Sequence, residues 1–153
     1  MTSQIWTLTE GCASEAEILA HLVRCDARFM PPLSIRVDLS EYAHRLHGRA
    51  RCFEAWAHNA LVGLLAVYLN DRDGTAFISN VSVDADFLGR GIATELLAQA
   101  IKHAATMGLA RVRLYVSAAN TSTRHLYENN GFCICATDGE QLLMQLDLPE
   151  MRR

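Results

Sequence analysis

Residues 81–97 read VSVDADFLGRGIATELL, and their order decides the fold around them. Val81-Ser82-Val83 has the β-branched character of a strand end, Gly89 and Gly91 come next, and Ile92 onward turns to helical spacing. At such a strand-to-helix junction the first backbone N–H groups of the helix have no intrahelical partner. The helix macrodipole and the Arg90 charge add positive potential there, and glycine permits close backbone approach, so the amides of Gly89 to Thr94 suit an anion of pyrophosphate type. Two competing phosphate loops do not fit. The GxxxxGK(S/T) pattern is missing, and GxGxxG is left incomplete because Thr stands at position 94. A bare Gly-x-Gly is equally compatible with a tight turn before a helix, so its surroundings must decide.

On the C-terminal side, Ile92, Leu96, Leu97, Ala100, Ile101, Ala104 and Ala105 form one stripe of a helix over 91–107, stopped by Gly108. On the N-terminal side, β-rich runs at 51–58, 61–70 and 75–83 predict an antiparallel meander, with Asn59-Ala60 as a two-residue hairpin connection. Further out, Gln4 to Thr9 alternates as a strand. Ser14 with Glu17 forms a capping box for a helix to about Arg28, which ends before Pro31 and Pro32. Asp38 or Ser40 caps a second helix through His47. After the glycine junction come a strand at 111–117, a helix at 120–130 closed by Gly131, and a hairpin of 132–136 with 141–146 around Asp138-Gly139. The order β-α-α-β-β-β-α-β-α-β-β places a strand, crossover helix and strand between Phe77 and Val116. That predicts one parallel pairing inside a mixed, mostly antiparallel sheet of the α/β (α+β) class.

The chain of 153 residues, half of them apolar, is read as a single domain over 1–153. A net charge of −3 without any Lys/Arg block excludes a nucleic-acid surface as the expected partner. Ala60 to Leu69, the longest apolar stretch, is broken by Gly63 and spans half of the roughly 20 residues a membrane helix needs. No membrane association is expected. Met1 to Thr9 lacks a basic and apolar leader pattern, so the expected location is cytoplasmic. The five cysteines form an odd set without CxxC spacing and are expected to be reduced and mostly packed. His44 with His47 is the nearest approach to ligand spacing, on an expected exposed helix face, and no metal is expected.

Taken together, Leu88-Gly89-Arg90-Gly91-Ile92-Ala93 after a hydrophobic strand, and Asn120 through Tyr127 to Gly131-Phe132, resemble the GNAT superfamily of N-acetyltransferases. The resemblance covers about 53–132. It departs at Leu88, where the family carries Gln or Arg; the amide cradle does not depend on that side chain. It implies a sheet of seven strands with four flanking helices and acetyl-coenzyme A as cosubstrate, with no metal. Val81, Ser82 and Val83 are then expected beside the pantetheine arm, with Leu88, Gly89, Arg90, Gly91, Ile92, Ala93 and Thr94 at the diphosphate and Asn120 reaching the cofactor. The same resemblance makes Tyr127 the general acid for the departing sulfur and a main-chain N–H near Val81 the oxyanion donor.

The base is less legible, because the family often has a carboxylate where this chain has Ser79 and Asn80. Glu54 is the candidate, acting through water, against the alternatives of an exposed strand-face carboxylate and of an acceptor amine that arrives already neutral. The acceptor side is expected along 29–42, with Phe29, Arg36 and Tyr42 binding substrate and Asp38 and Glu41 shaping the wall. The mixed charges favour a small polar primary amine over a long basic peptide. RARCFEAW and FISNVSV resemble the meander of small members that imply an amino-sugar acceptor, with amino acids, polyamines or protein amines as alternatives. A non-catalytic acyl-coenzyme A sensing module is the reading from a different class. The C-terminal strands offer a sheet edge on which a homodimer could pair.

Overall fold

The computed structural model describes residues 5–149. Seven strands, β1 (Thr7–Glu10), β2 (Arg51–Ala57), β3 (Ala60–Asn70), β4 (Thr75–Val83), β5 (Arg111–Ser117), β6 (Cys133–Asp138) and β7 (Gln141–Asp147), form one sheet in the order β1-β2-β3-β4-β5-β7-β6. Only the β4–β5 pair is parallel, as the crossover through the central helix requires. The α-helices are α1 (Glu15–Cys25), α2 (Leu33–Arg36), α3 (Leu39–Arg49), α4 (Ile92–Thr106) and α5 (Thr121–Glu128). None of the described helices is long and apolar enough to cross a membrane.

The sheet separates two cores. On one face Ile18, Leu22, Tyr42 and Leu46 of α1 and α3 pack on Cys52, Leu61, Leu64 and Ala66. On the other, the α4 stripe Ile92, Leu96, Leu97, Ala100 and Ala104 packs on Ala55, Leu65, Val67 and Ile78, joined by Tyr127 of α5. Gly63 of β3 is needed for this contact, since a Cβ there would lie 2.7 Å from Ile92 Cγ2. The start of α4 is thereby pressed onto the sheet.

Several expectations shift. The hairpin turn is His58-Asn59, both at positive φ, rather than Asn59-Ala60. That is the type I′ geometry whose twist matches the flanking strands. A fifth helix, the single turn α2, forms after Pro32, where the prolines suggested only a stop. The first helix ends at Cys25, and Asp26–Arg28 tighten into a 3-10 turn. The Ser14–Glu17 capping box is present, and Asp38 rather than Ser40 caps α3. Gln4 lies outside the described residues, and β1 begins at Thr7. Cys25 and Cys52 are packed, but Cys12, Cys133 and Cys135 are exposed, the last two because β6 is an edge strand open to solvent.

Candidate active site

The site begins with a parting of strands. β4 and β5 pair only from Thr75–Arg111 to Ile78–Leu114, although β4 runs on to Val83 and β5 to Ser117. Beyond that point β4 stays with β3 while β5 stays with β7, so the sheet opens along residues 79–83. Ser79 is an extra residue in β4, since Asn80 faces Ala66 and Ile78 faces Val67. Asp84 N–H donates to Val62 O at 2.7 Å. By strand alternation Asn80 and Ser82 also address β3 with their main chain, whereas Val81 and Val83 address the gap.

A cavity of about 400 Å³ fills the opening. Val81, Ser82, Val83, Leu88, Asn120 and Tyr127 line it, as do Phe29, Arg36 and Tyr42 of the expected acceptor side. Asp38 and Glu41 are not among the lining residues. Asp38 instead caps α3 by accepting from Glu41 N–H at 3.0 Å, so the expectation that both shape the wall is corrected.

At the mouth, past Leu88, Gly91 is the N-cap of α4 at φ 90° and brings no capping side chain. The first intrahelical bond of α4 runs from Glu95 N–H to Gly91 O, so the amides of Ile92, Ala93 and Thr94 lack helical acceptors. A Cβ built on Gly89 or Gly91 meets nothing within 4 Å. The space in front of these amides is open, and α4, 15 residues long, directs its positive dipole end into it. Arg90 is exposed beside it, its guanidinium 5.2 Å from the centre of the Phe87 ring. The Ile92 side chain is buried, leaving its amide as the part that faces outward.

Inside the cavity, Tyr127 is 5% exposed, its ring 5.6 Å from that of Phe132. Burial pushes its phenol well above the ordinary range, so it remains a proton donor at neutral pH. Tyr42 bonds the Ser79 hydroxyl and donates to Ser79 O at 3.1 Å. Burial outweighs that bond, and its phenol is pushed up to about 12. Asn120 caps α5, its Oδ1 accepting from Thr123 N–H at 3.4 Å. Among the described residues, Arg28 and Arg36 are the charged side chains on the lining, and no carboxylate lies on it. Arg28 donates to Val83 O.

Glu54 is elsewhere. It is 0% exposed, on the α1/α3 face of β2 and off the cavity lining. Its Oε1 accepts from the Thr9 hydroxyl at 2.7 Å and Cys12 N–H at 2.8 Å, and Oε2 from Ala13 N–H at 2.9 Å. This corrects both the water-linked base and the exposed alternative: the carboxylate ties the β1–α1 connection to the sheet.

Sequence reasoning missed a buried polar chain beside the gap. His21 of α1 is 0% exposed. Its Nδ1 lies 2.9 Å from Asp84 Oδ1 and 3.0 Å from Leu61 O, and its Nε2 lies 2.9 Å from Ser82 Oγ. Asn80 Nδ2 donates to Ser82 Oγ at 2.9 Å and to Leu64 O at 3.3 Å. Burial works against an imidazolium, but the bond to Asp84, with Cys25 beside it, outweighs burial and raises His21 to about 9. Asp84 is held below the usual carboxylate range by His21 and Arg24, against its own partial burial. The only cue in the sequence was a histidine on the apolar stripe of the first helix.

His21, Cys25 and Asp84 bring three donor atoms within 4.8 Å of one another. Arg24 Nε is 3.0 Å from Asp84 and Arg28 is 3.5 Å from the Cys25 sulfur. Two guanidiniums already occupy the anionic side of this group, the arrangement of a hydrogen-bonded network rather than of a cation cage. His44, by contrast, faces solvent and pairs with Glu15 at 2.8 Å.

Comparison with known proteins agrees with this geometry. The model of the Acetyltransferase (GNAT) family matches residues 17–132. A mycothiol acetyltransferase of Propionibacterium freudenreichii subsp. shermanii is 36% identical over 80 residues, which take in 51% of this chain and 26% of that protein. The chain therefore spans about a quarter of that relative's length. Among solved structures, the ribosomal-protein-S18-alanine N-acetyltransferase of Escherichia coli superposes with a TM-score of 0.76 at 19% identity, over 97% of this chain and 96% of that one. The PaiA N-acetyltransferase of Thermoplasma acidophilum, solved in complex with coenzyme A, gives 0.71 at 19% identity over 92% and 99%.

Proposed function

The chain belongs to the acetyltransferase (GNAT) family, and from that premise we propose that it transfers the acetyl group of acetyl-coenzyme A to the primary amine of a small polar acceptor by direct attack, both substrates being bound together. The observation that carries this is the continuity of the site: an anion-binding helix start opens, past Leu88, onto an unpaired strand edge and a cavity of about 400 Å³. Diphosphate, pantetheine and acyl group have that linear order in coenzyme A, whose thioester supplies the activated acetyl carbon.

The amides of Gly89 to Thr94 and the Arg90 charge hold the diphosphate. Main-chain groups of Val81 and Val83 address the pantetheine amides, and an N–H near Val81 receives the developing oxyanion. Tyr127, kept protonated by burial, hands its proton to the departing sulfur. Asn120 and Ser82 flank the reacting end.

The acceptor lies on the α1/α3 side, against Phe29, Arg36 and Tyr42. With Arg28 and Arg36 on the wall and no carboxylate among the described residues that line it, the cavity repels polyamines and basic peptides. An amino acid, or an amino sugar bearing an acidic group, supplies both the amine and the complementary charge. The exposed edge β6 is where a homodimer would pair.

The test is free-thiol release from acetyl-coenzyme A with amino acids, amino sugars, polyamines and short peptides as acceptors. Turnover with an acidic amine supports the reading. Affinity for acetyl-coenzyme A without turnover on any amine would replace it by a sensing module.

A further inference from the structure

We propose that His21, acting through the Ser82 hydroxyl and anchored by Asp84, takes the proton that the acceptor's ammonium group must lose before it attacks. The inference rests on the acetyl-transfer reading and supplies the base that Glu54 does not.

Hydrogen-bond arithmetic at His21 leaves one arrangement. Asp84 Oδ1 and Leu61 O are both acceptors at Nδ1, so Nδ1 carries its hydrogen in either charge state and Nε2 is the nitrogen that titrates. When the ring is neutral, the Ser82 hydroxyl donates to Nε2. Ser82 Oγ already accepts from Asn80 Nδ2, which leaves one of its lone pairs free. Ser82 lines the cavity, and that lone pair is where an ammonium N–H can donate.

Position supports the same assignment. The extra residue Ser79 makes β4 break step, and Ser79, Asn80 and Ser82 all turn to the α1/α3 face, bonded respectively to Tyr42, to Leu64 O and to His21. Tyr127 belongs to the core on the opposite face. Proton removal from nitrogen and proton delivery to sulfur are thus separated by the strand edge along which the thioester is proposed to lie.

The atoms balance. An ammonium N–H passes its proton to Ser82 Oγ as the Ser82 proton passes to His21 Nε2, giving a neutral amine and an imidazolium. Nitrogen then bonds to the carbonyl carbon and the carbon–sulfur bond breaks. As the amide forms, nitrogen gives up a second proton, equal to the one sulfur takes. The first returns to solvent from the imidazolium.

The groups facing the ring are Arg24 and Cys25 of α1, Arg28 of the following turn, Asn80, Ser82 and Asp84 of β4 and its end, and the Leu61 carbonyl of β3. Their net effect, led by Asp84 against burial, raises His21 to about 9. That lies within the roughly 8 to 10 range of α- and ε-ammonium groups, so ring and ammonium titrate together, and the relay runs in the molecules whose ring is neutral, a minority near pH 7.5 that grows as pH rises through about 9.

The experiment uses the whole chain and an acceptor found by thiol release, with kcat/KM measured from pH 6 to 10. Ser82→Ala keeps the His21–Asp84 pair and is the primary variant; Ser82→Thr restores the hydroxyl. Ser82→Ala is expected to lower kcat/KM about a hundredfold or more at pH 7.5, with acetyl-coenzyme A affinity unchanged. The deficit should shrink to below about tenfold at pH 10, where the amine arrives neutral, and Ser82→Thr should recover most of the loss. A deficit that is constant with pH, a parallel loss of acetyl-coenzyme A affinity, or half or more of wild-type kcat/KM at pH 7.5 overturns the relay while leaving acetyl transfer in place. Absence of turnover by the wild type on every amine removes the acetyl-transfer reading itself, and the relay with it.

Discussion

Glu54→Gln separates a structural carboxylate from a catalytic one. The wild-type carboxylate is fully buried and is surrounded by donors: the Thr9 hydroxyl and Cys12 N–H on Oε1, Ala13 N–H on Oε2. An amide keeps one acceptor oxygen. Whichever way it is turned, its NH2 group confronts at least one donor that loses its partner, and the bonds that survive lose their charge assistance. An unsatisfied buried donor costs about 1–3 kcal/mol, and a hydrogen bond to a charged group exceeds a neutral one by roughly 1 kcal/mol. Glu54→Gln is therefore expected to destabilise by about 2–4 kcal/mol, read as a lower urea midpoint at unchanged slope. At roughly 2–4 °C per kcal/mol for a chain of this size, Tm should fall by about 5–15 °C. Well below the new transition, kcat should stay within about threefold of wild type, and the pH profile of kcat/KM should keep its acidic limb. An unchanged urea midpoint together with loss of that limb would refute the structural role and return Glu54 to the proton path.

Three further outcomes are expected. Gly63→Ala places a Cβ 2.7 Å from Ile92 Cγ2 and 3.2 Å from Ala55 Cβ; by urea unfolding it should cost about 1–3 kcal/mol, and calorimetry should show weaker coenzyme A binding, because Ile92 opens α4. Tyr127→Phe leaves the ring against Phe132 and should reduce kcat by about tenfold to a thousandfold with coenzyme A affinity unchanged; an unaltered kcat makes Tyr127 a packing residue. His21 has a raised folded pKa, so its contribution to stability is complete below about pH 6.5 and is lost as pH rises through about 9. Urea midpoints of the wild type from pH 6 to 10 should show a decline worth about 3 kcal/mol that His21→Gln lacks; parallel curves for the two proteins would refute the charged pair.

What the sequence disclosed was local. The Gly89–Gly91 junction, the α4 stripe and the Ser14–Glu17 box each depend on residues within a few positions of one another, and all three stand in the structure. The crossover then fixed the parallel β4–β5 pair through chirality and length. The errors are those of partnership at a distance. Nothing near Glu54 announces that Cys12 and Ala13 will turn their N–H groups toward it, and nothing near His21 announces Asp84. The turn sits at His58-Asn59, one residue earlier than Asn59-Ala60, because histidine as well as asparagine accepts positive φ when the flanking strands demand the twist. The α2 turn after Pro32 is held in part by Ser34, whose N–H donates to Asp26 Oδ1 at 2.7 Å, a contact that spacing alone does not reveal.

The single extra residue at Ser79 connects the fold to the chemistry. In an unbroken strand, neighbouring side chains alternate between faces, so after Ile78 on the α4 side Ser79 takes the α1/α3 face and Asn80 would have turned back toward α4. The bulge places Ser79 beside Asn80 on the acceptor side. It also marks where β4 parts from β5, since the last paired residue is Ile78. One insertion therefore opens the strand edge proposed for the thioester and gathers three hydroxyl and amide side chains on the face proposed for the amine. Deleting Ser79 would restore strict alternation and carry Asn80 into its place. If the bulge has both effects, that deletion removes the gap and the Tyr42 contact together, so cofactor binding and turnover should be lost as one property and not separately.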